Sequence, residues 1–184
     1  MPWSEDSIAY AVATNIFPWR RYVTVPNVSW GLLSHEADLV ALSDAGWLSE
    51  VEIKVTKADF LADREKHRHK LSASHGQPEL ISAFYYAMPS AIWNKCQPED
   101  LPPGAGLILV GDDYHRAREA RAYIAQKPTS NAVARRLTAE EREQLLRLGY
   151  IRYWGRQEAV DRLLSGILRE AERLTAAAPG KGER

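Results

Sequence analysis

The chain has a single cysteine, Cys96, among its 184 residues. One thiol closes no internal disulfide, and no CxxC or Cys/His spacing offers a zinc site, so the fold must hold by packing, as suits a reducing compartment. Cys96 itself reads as a small buried hydrophobe. Net charge is also missing: 24 Lys and Arg balance 24 Asp and Glu, which removes any bulk pull toward nucleic acid or membrane. No stretch approaches the roughly 18 apolar residues of a membrane span. The start, "MPWSEDSIAYAVATNIFPWRRY", has neither the basic opening nor the apolar run of a signal peptide. The expectation is a cytoplasmic protein with no membrane partner. Nucleotide-binding fingerprints are absent as well, since "PPGAG" lacks a following Lys-Ser/Thr and precedes a strand-like run. No GxSxG and no defensible Ser/His/Asp order point to nucleophilic catalysis.

What is present is a globular composition, 45% apolar and 26% charged, in a chain long enough to bury a real core. The charge is unevenly placed. Residues 1–63 hold 4 Lys and Arg against 9 Asp and Glu, whereas residues 64–136 hold 11 against 7. An acidic half beside a basic half suits a metal-dependent site facing a polyanion, although such asymmetry also arises by chance.

Ser4 is placed to cap a helix carrying Ile8, Ala9, Val12 and Ile16, which Pro18 ends. "RRYVTVPNVSWGLL" reads as an extended segment with a turn at Pro-Asn. The spacing then predicts a hairpin, with a strand over 36–42, the turn "SDAG" and a strand over 47–55. A helix with one wet face follows in "KADFLADREKHRHKLSA". "ELISAFYYAMP" and "AGLILVGDD" read as buried strands, and "YHRAREARAYIAQKP" leans toward a strand at its start. Thr138 and Glu141 form a capping box for a helix that Gly149 should stop. A second helix carries Val160, Leu163, Leu164, Ile167, Leu168 and Leu174. The expected architecture is α/β (α+β), with residues 1–127 as a core and 128–184 as a helical C-terminal extension packed on it, fraying from about residue 176.

Chemistry concentrates in the predicted hairpin. Side chains alternate along a strand, so Glu36 and Asp38 share one face of the first strand. On the second strand Glu50, Glu52 and Lys54 share a face opposite Val51, Ile53 and Val55. If the register pairs them, Asp38 and Glu52 lie together, and two adjacent carboxylates repel unless a divalent cation joins them. Hard oxygen donors favour Mg²⁺ or Mn²⁺ over zinc, and the main-chain carbonyl of Ile53 can add a ligand. Lys54, pointing the same way, would orient or help deprotonate an attacking water and stabilise charge developing on phosphorus. The bland alternative is an exposed hairpin face bearing a Glu-Lys pair.

This arrangement resembles the PD-(D/E)XK nuclease superfamily, with Asp38 in the first-acid position and "EIK", Glu52-Ile53-Lys54, in the (D/E)xK position. It is most similar to the MmcB-type DNA repair nucleases and related phage or prophage proteins, on "EADLVAL", "VEIKVTKADFLADREK", "YYAMP" and "LPPGAGLILV". The resemblance spans about residues 5–125. It implies a restriction-endonuclease-like αβββαβ core with a central mixed sheet flanked by helices, plus C-terminal helices. It also implies Mg²⁺ or Mn²⁺ held by Asp38, Glu52 and the Ile53 carbonyl, Lys54 as catalytic lysine, and DNA cleaved to a 5′-phosphate and a 3′-hydroxyl. A further acid often comes from the first helix in this superfamily, for which Glu5 is the match and Glu36 its rival. Ala37 stands where the name of the superfamily puts proline. The QxxxY pattern of the RecB-like branch is absent, because Gln77 is followed by Pro78 and by no tyrosine four residues on.

"DREKHRHK" places Arg64, Lys66, His67, Arg68 and Lys70 within two helical turns, a cluster able to grip DNA phosphates or simply to lie in water. Asp63 and His67, four apart, rank below Asp38 and Glu52 as metal ligands. "IRYWGR" offers Tyr153 and Trp154 for stacking on bases. The leading expectation is a metal-dependent deoxyribonuclease in DNA repair or phage-related DNA processing. The alternatives are a non-cleaving DNA-binding protein of the same fold, or a partner-binding subunit of a larger complex. The apolar stripe of the last helix raises the expectation of a homodimer.

Overall fold

The computed structural model describes residues 3–28, 31–63, 80–112 and 120–177. Helix α1 (Glu5–Asn15) starts at the expected cap, where the Ser7 N–H donates to Ser4 Oγ at 3.2 Å and the Ser4 N–H donates to Ser7 Oγ at 3.0 Å. Its buried face, Ile8, Ala9, Ala11 and Val12, lies on the sheet, and the helix ends short of Pro18.

The strands β1 (Tyr22–Val28), β2 (Ala37–Ser43) and β3 (Leu48–Ile53) form an antiparallel meander. The Pro-Asn pair does not break β1 as the sequence suggested. As an edge strand β1 tolerates Pro26, and Asn27 takes up the irregularity with φ of 51°, a left-handed conformation Asn adopts more readily than most residues. Gly46, with φ of 88°, makes the tight connection between β2 and β3.

Helix α2 begins at residue 57 and is described through residue 63. It leads to β4 (Ile81–Pro89), which pairs parallel to β3. A short helix, α3 (Ser90–Trp93), and a 3₁₀ turn (Pro98–Asp100) then lead to β5 (Gly106–Asp112), parallel to β4. Strand β6 (Ala120–Gln126) closes the sheet antiparallel to β5. It occupies the later part of the segment in which a strand was expected early, and residues 113–119 lie outside the described residues.

The result is a six-stranded mixed sheet whose strands lie in sequence order, β1-β2-β3-β4-β5-β6. Its first part follows the expected αβββαβ order. One face, through Leu39, Ala41, Val51, Ile53 and Ile108, packs on α1. The other carries two clusters. Val25, Val40, Leu42 and Leu48 meet Leu145 of the last helix, while Tyr86, Met88 and Leu107 meet Phe60 of α2. Cys96 is half-buried beside the latter cluster, its thiol donating to the Ile92 carbonyl at 3.5 Å.

The C-terminal part departs from expectation. One uninterrupted helix, α4 (Ala139–Ala177), replaces the two expected on either side of Gly149. Gly149 serves contact rather than termination, since a Cβ there would stand 3.2 Å from Val25 Cγ2, so the glycine lets α4 lie close on β1. Among the described side chains of α4 from Tyr150 to Leu168, the large apolar residues are exposed. Among the described residues, no helix is long and apolar enough to cross a membrane.

Candidate active site

The β2–β3 register pairs Val40 with Glu50 and Leu39 with Val51, and continued by one residue it sets Asp38 across from Glu52. At this end of the ladder a side chain takes over the pairing. The Ile53 N–H donates to Asp38 Oδ2 at 2.7 Å, which fixes the carboxylate at the mouth formed where β2 and β3 part. On the other side of β3, the Lys54 N–H donates to the Ala87 carbonyl at 2.9 Å, anchoring the residue after the strand to β4.

Lys54 is buried, with 6% of its surface exposed. Its Nζ donates to Glu52 Oε1 at 2.8 Å and lies 3.7 Å from Asp59 Oδ2 and 3.8 Å from Asp63 Oδ1. Asp59 and Asp63 are four apart on α2, so one helical face aims both at the lysine. The Tyr86 hydroxyl donates to Asp63 Oδ2 at 3.0 Å, and Tyr86 is wholly buried against Phe60. The lysine is thus surrounded by three carboxylates, one of them held by a tyrosine from β4.

Burial raises the pKa of Asp38 above its ordinary value. The Ile53 N–H and the Lys54 charge work against that rise, and the charges of Glu5 and Asp63 add to it. Glu52 is raised likewise, first by burial and then by Asp38 and Asp63, in spite of its bond from Lys54. For Lys54 burial disfavours the charged form, but the bond to Glu52 and the charges of Glu52, Asp63 and Asp59 outweigh it and hold the pKa above the usual lysine range. Lys54 is a full ammonium here.

Asp38, Glu52, Ile53 and Lys54, expected to meet, do meet. Glu5 stands in the first turn of α1, where Asp38 feels its charge, and both residues line a recess of about 330 Å³ with Asp6, Asn27 and Ile53. Glu36 is exposed just before β2. Arg64, Lys66, His67, Arg68 and Lys70 lie outside the described residues. Asp59 and Tyr86 were not singled out from the sequence. The only signal for Asp59 was its four-residue spacing from Asp63, and that gains meaning once α2 folds back over β3. A second unforeseen pair lies nearby, where His35 Nε2 stands 2.9 Å from both oxygens of the buried Glu50.

Asp38 and Glu52 fit a divalent cation in kind, being hard oxygen donors close enough that the charge of Asp38 raises the pKa of Glu52. Among the described residues no three His, Cys, Asp or Glu side chains are already gathered as a ligand set.

No family model matches the sequence, and no curated protein matches it. Among solved structures, a protein of unknown function from Silicibacter pomeroyi is similar with a TM-score of 0.56 at 20% identity, over 88% of this chain and 92% of that one. The likeness shows a shared mixed α/β fold.

Proposed function

We propose that this chain is a metal-dependent nuclease that hydrolyses phosphodiester bonds of DNA, in DNA repair or phage-related DNA processing. The observation that carries the reading is the convergence of Asp38, Glu52 and Lys54 beside the recess lined by Glu5. Gathering a buried lysine and partly buried carboxylates on one sheet face costs stability and does nothing the core requires. The position adds support, because the site lies at the carboxyl end of β3, one of three strands joined in parallel, where α/β sheets carry their ligands. The resemblance to PD-(D/E)XK nucleases supplies the substrate class.

Asp38, Glu52 and the Ile53 carbonyl would hold Mg²⁺ or Mn²⁺, which when bound supplies Lewis acidity toward a phosphoryl oxygen. The chain's own groups do the rest. The Ile53 N–H holds one oxygen of Asp38 in place beside the recess that Asp38 lines. Lys54, kept protonated by the acids around it, acts as a cation and proton donor able to position a water and balance charge developing on the phosphate. Asp63, held by Tyr86, keeps the ammonium aimed.

The test is cleavage of labelled single-stranded, duplex and flap DNA with Mg²⁺, Mn²⁺ or EDTA, comparing the native chain with Lys54→Met. Methionine keeps most of the apolar stem and removes the charge. Cleavage that needs metal and falls at least about a hundredfold in the variant is expected. Equal cleavage by both proteins, or none by either on any substrate, would overturn the proposal.

A further inference from the structure

The outer part of α4 carries a pattern that the sheet does not use. Leu145, Gly149 and Arg156 follow one line of the helix and turn toward the core. Leu145 is fully buried, Gly149 abuts Val25, and Arg156 pairs with Asp6 of α1. Tyr150, Tyr153, Gln157, Val160, Leu164 and Ile167 fall about a quarter-turn round the helix from that line. They are spaced alternately by three and four residues, and the same spacing continues in the sequence to Ala171 and Leu174. That is the a and d pattern of a coiled coil, with Tyr150, Gln157 and Leu164 at a and Tyr153, Val160 and Ile167 at d. Trp154, Leu163 and Leu168 flank the stripe, each more than half exposed. From residue 150 to residue 174 the helix rises about 36 Å.

We propose that α4 is a dimerisation helix, on which a second copy of this chain packs over residues 150–174 as a parallel, in-register two-stranded coiled coil. The inference does not rest on the nuclease reading. A lone chain does not ordinarily keep so long an apolar stripe in water. Tyr150, Tyr153 and Trp154 alone offer roughly 300 Å² per chain, so with the leucines and isoleucine a symmetric contact clears the roughly 1,000 Å² a specific interface needs. The regular alternation selects a partner helix, and the same stripe on a second copy is complementary to it by construction.

Polar residues choose the direction. In register and parallel, Gln157 meets the partner's Gln157 across the axis, and each amide can bond the other, as single polar a residues do when they fix register. Run antiparallel with full overlap, Gln157 would instead face the partner's Ile167 with no bonding partner there, and Asp161 would meet the partner's Asp161. The far side of the helix, with Glu158, Arg162 and Arg169, stays in water, where Arg162 pairs with Glu158.

Analytical ultracentrifugation of the full chain across a micromolar concentration series tests this. Twice the 20.7 kDa chain mass is expected, together with loss of the dimer in Leu164→Glu/Ile167→Glu and its retention in Arg169→Glu. The substituted positions are exposed in the single chain, and circular dichroism checks that the variants remain folded. In a Cys96→Ser background, Gln157→Cys should cross-link to itself on oxidation. A native chain that stays monomeric throughout, or a dimer that survives the double substitution, overturns the interface. Cross-linking only between Gln157→Cys and Ile167→Cys chains overturns the parallel register.

Discussion

Asp38 shows how a single side chain can work against the fold that holds it. Its carboxyl is raised from 3.8 chiefly by burial. A group with a raised folded-state pKa contributes stability that is complete below its unfolded pKa and lost as pH rises through the folded value. At neutral pH the ionised Asp38 is therefore a burden. Asp38→Asn keeps an oxygen for the Ile53 N–H and drops the charge, so the melting temperature should rise at pH 8. The gain should vanish below pH 3.8, where the native carboxyl is protonated too. Cleavage should be lost in the same variant. Thermal melts at both pH values check this, and an unchanged or lower melting point at pH 8 contradicts it.

The residue-scale site was legible in part because it is local. Period-two alternation put Glu52 and Lys54 on one face, and the hairpin brought Asp38 across. Asp59, Tyr86 and the pairing of His35 with Glu50 escaped because each depends on contact between elements distant in the chain. Sequence patterns encode which face a residue takes and say little about what covers that face.

At the scale of the element, the start of α4 is bound by a capping box and a salt bridge together. The Glu141 N–H donates to Thr138 Oγ1 at 3.2 Å, the Thr138 N–H donates to Glu141 Oε2 at 2.8 Å, and Arg135 grips both oxygens of Glu141 at 2.6 and 2.7 Å. Arg135 is the main cause of a Glu141 carboxyl held down at about 2. With the folded pKa depressed, its contribution is present above the ordinary value of 4.5 and lost as pH falls toward 2. Glu141→Gln should accordingly unfold more easily than the native chain at pH 6 and converge with it near pH 2. Thr138→Ala should cost about 1 kcal/mol in urea unfolding. This cap was readable because a capping box spans only four residues of sequence.

Gly149 was misread for the complementary reason. Glycine after a leucine-rich turn signals a stop, and its contact with Val25 lies more than a hundred residues back. Gly106 has a similar hidden role. A Cβ there would meet Tyr85 Cδ1 at 2.5 Å and Pro128 Cδ at 2.9 Å, so Gly106→Ala should cost about 1–3 kcal/mol. A lower urea midpoint with an unchanged slope is the expected result.

Across the whole molecule, protection should follow the sheet. Amides of the central strands β3, β4 and β5 should exchange most slowly with solvent, and those of residues 150–168 should exchange fast in dilute protein and slow as concentration rises. Exchange in that helix independent of concentration would speak against its burial in a dimer.

The sequential order of the sheet also sets a timetable for synthesis. Each strand can pair with the one made just before it, so the sheet is able to grow as the chain leaves the ribosome. The cover for its oldest part arrives last. Val25, Val40, Leu42 and Leu48 belong to the first three strands of the sheet, yet Leu145 of α4 is made nearly a hundred residues after the last of them. Until then that face is open to any other apolar surface in the cell. For this chain, the period of greatest exposure to a chaperone or to misassociation is the interval between the third strand and the final helix.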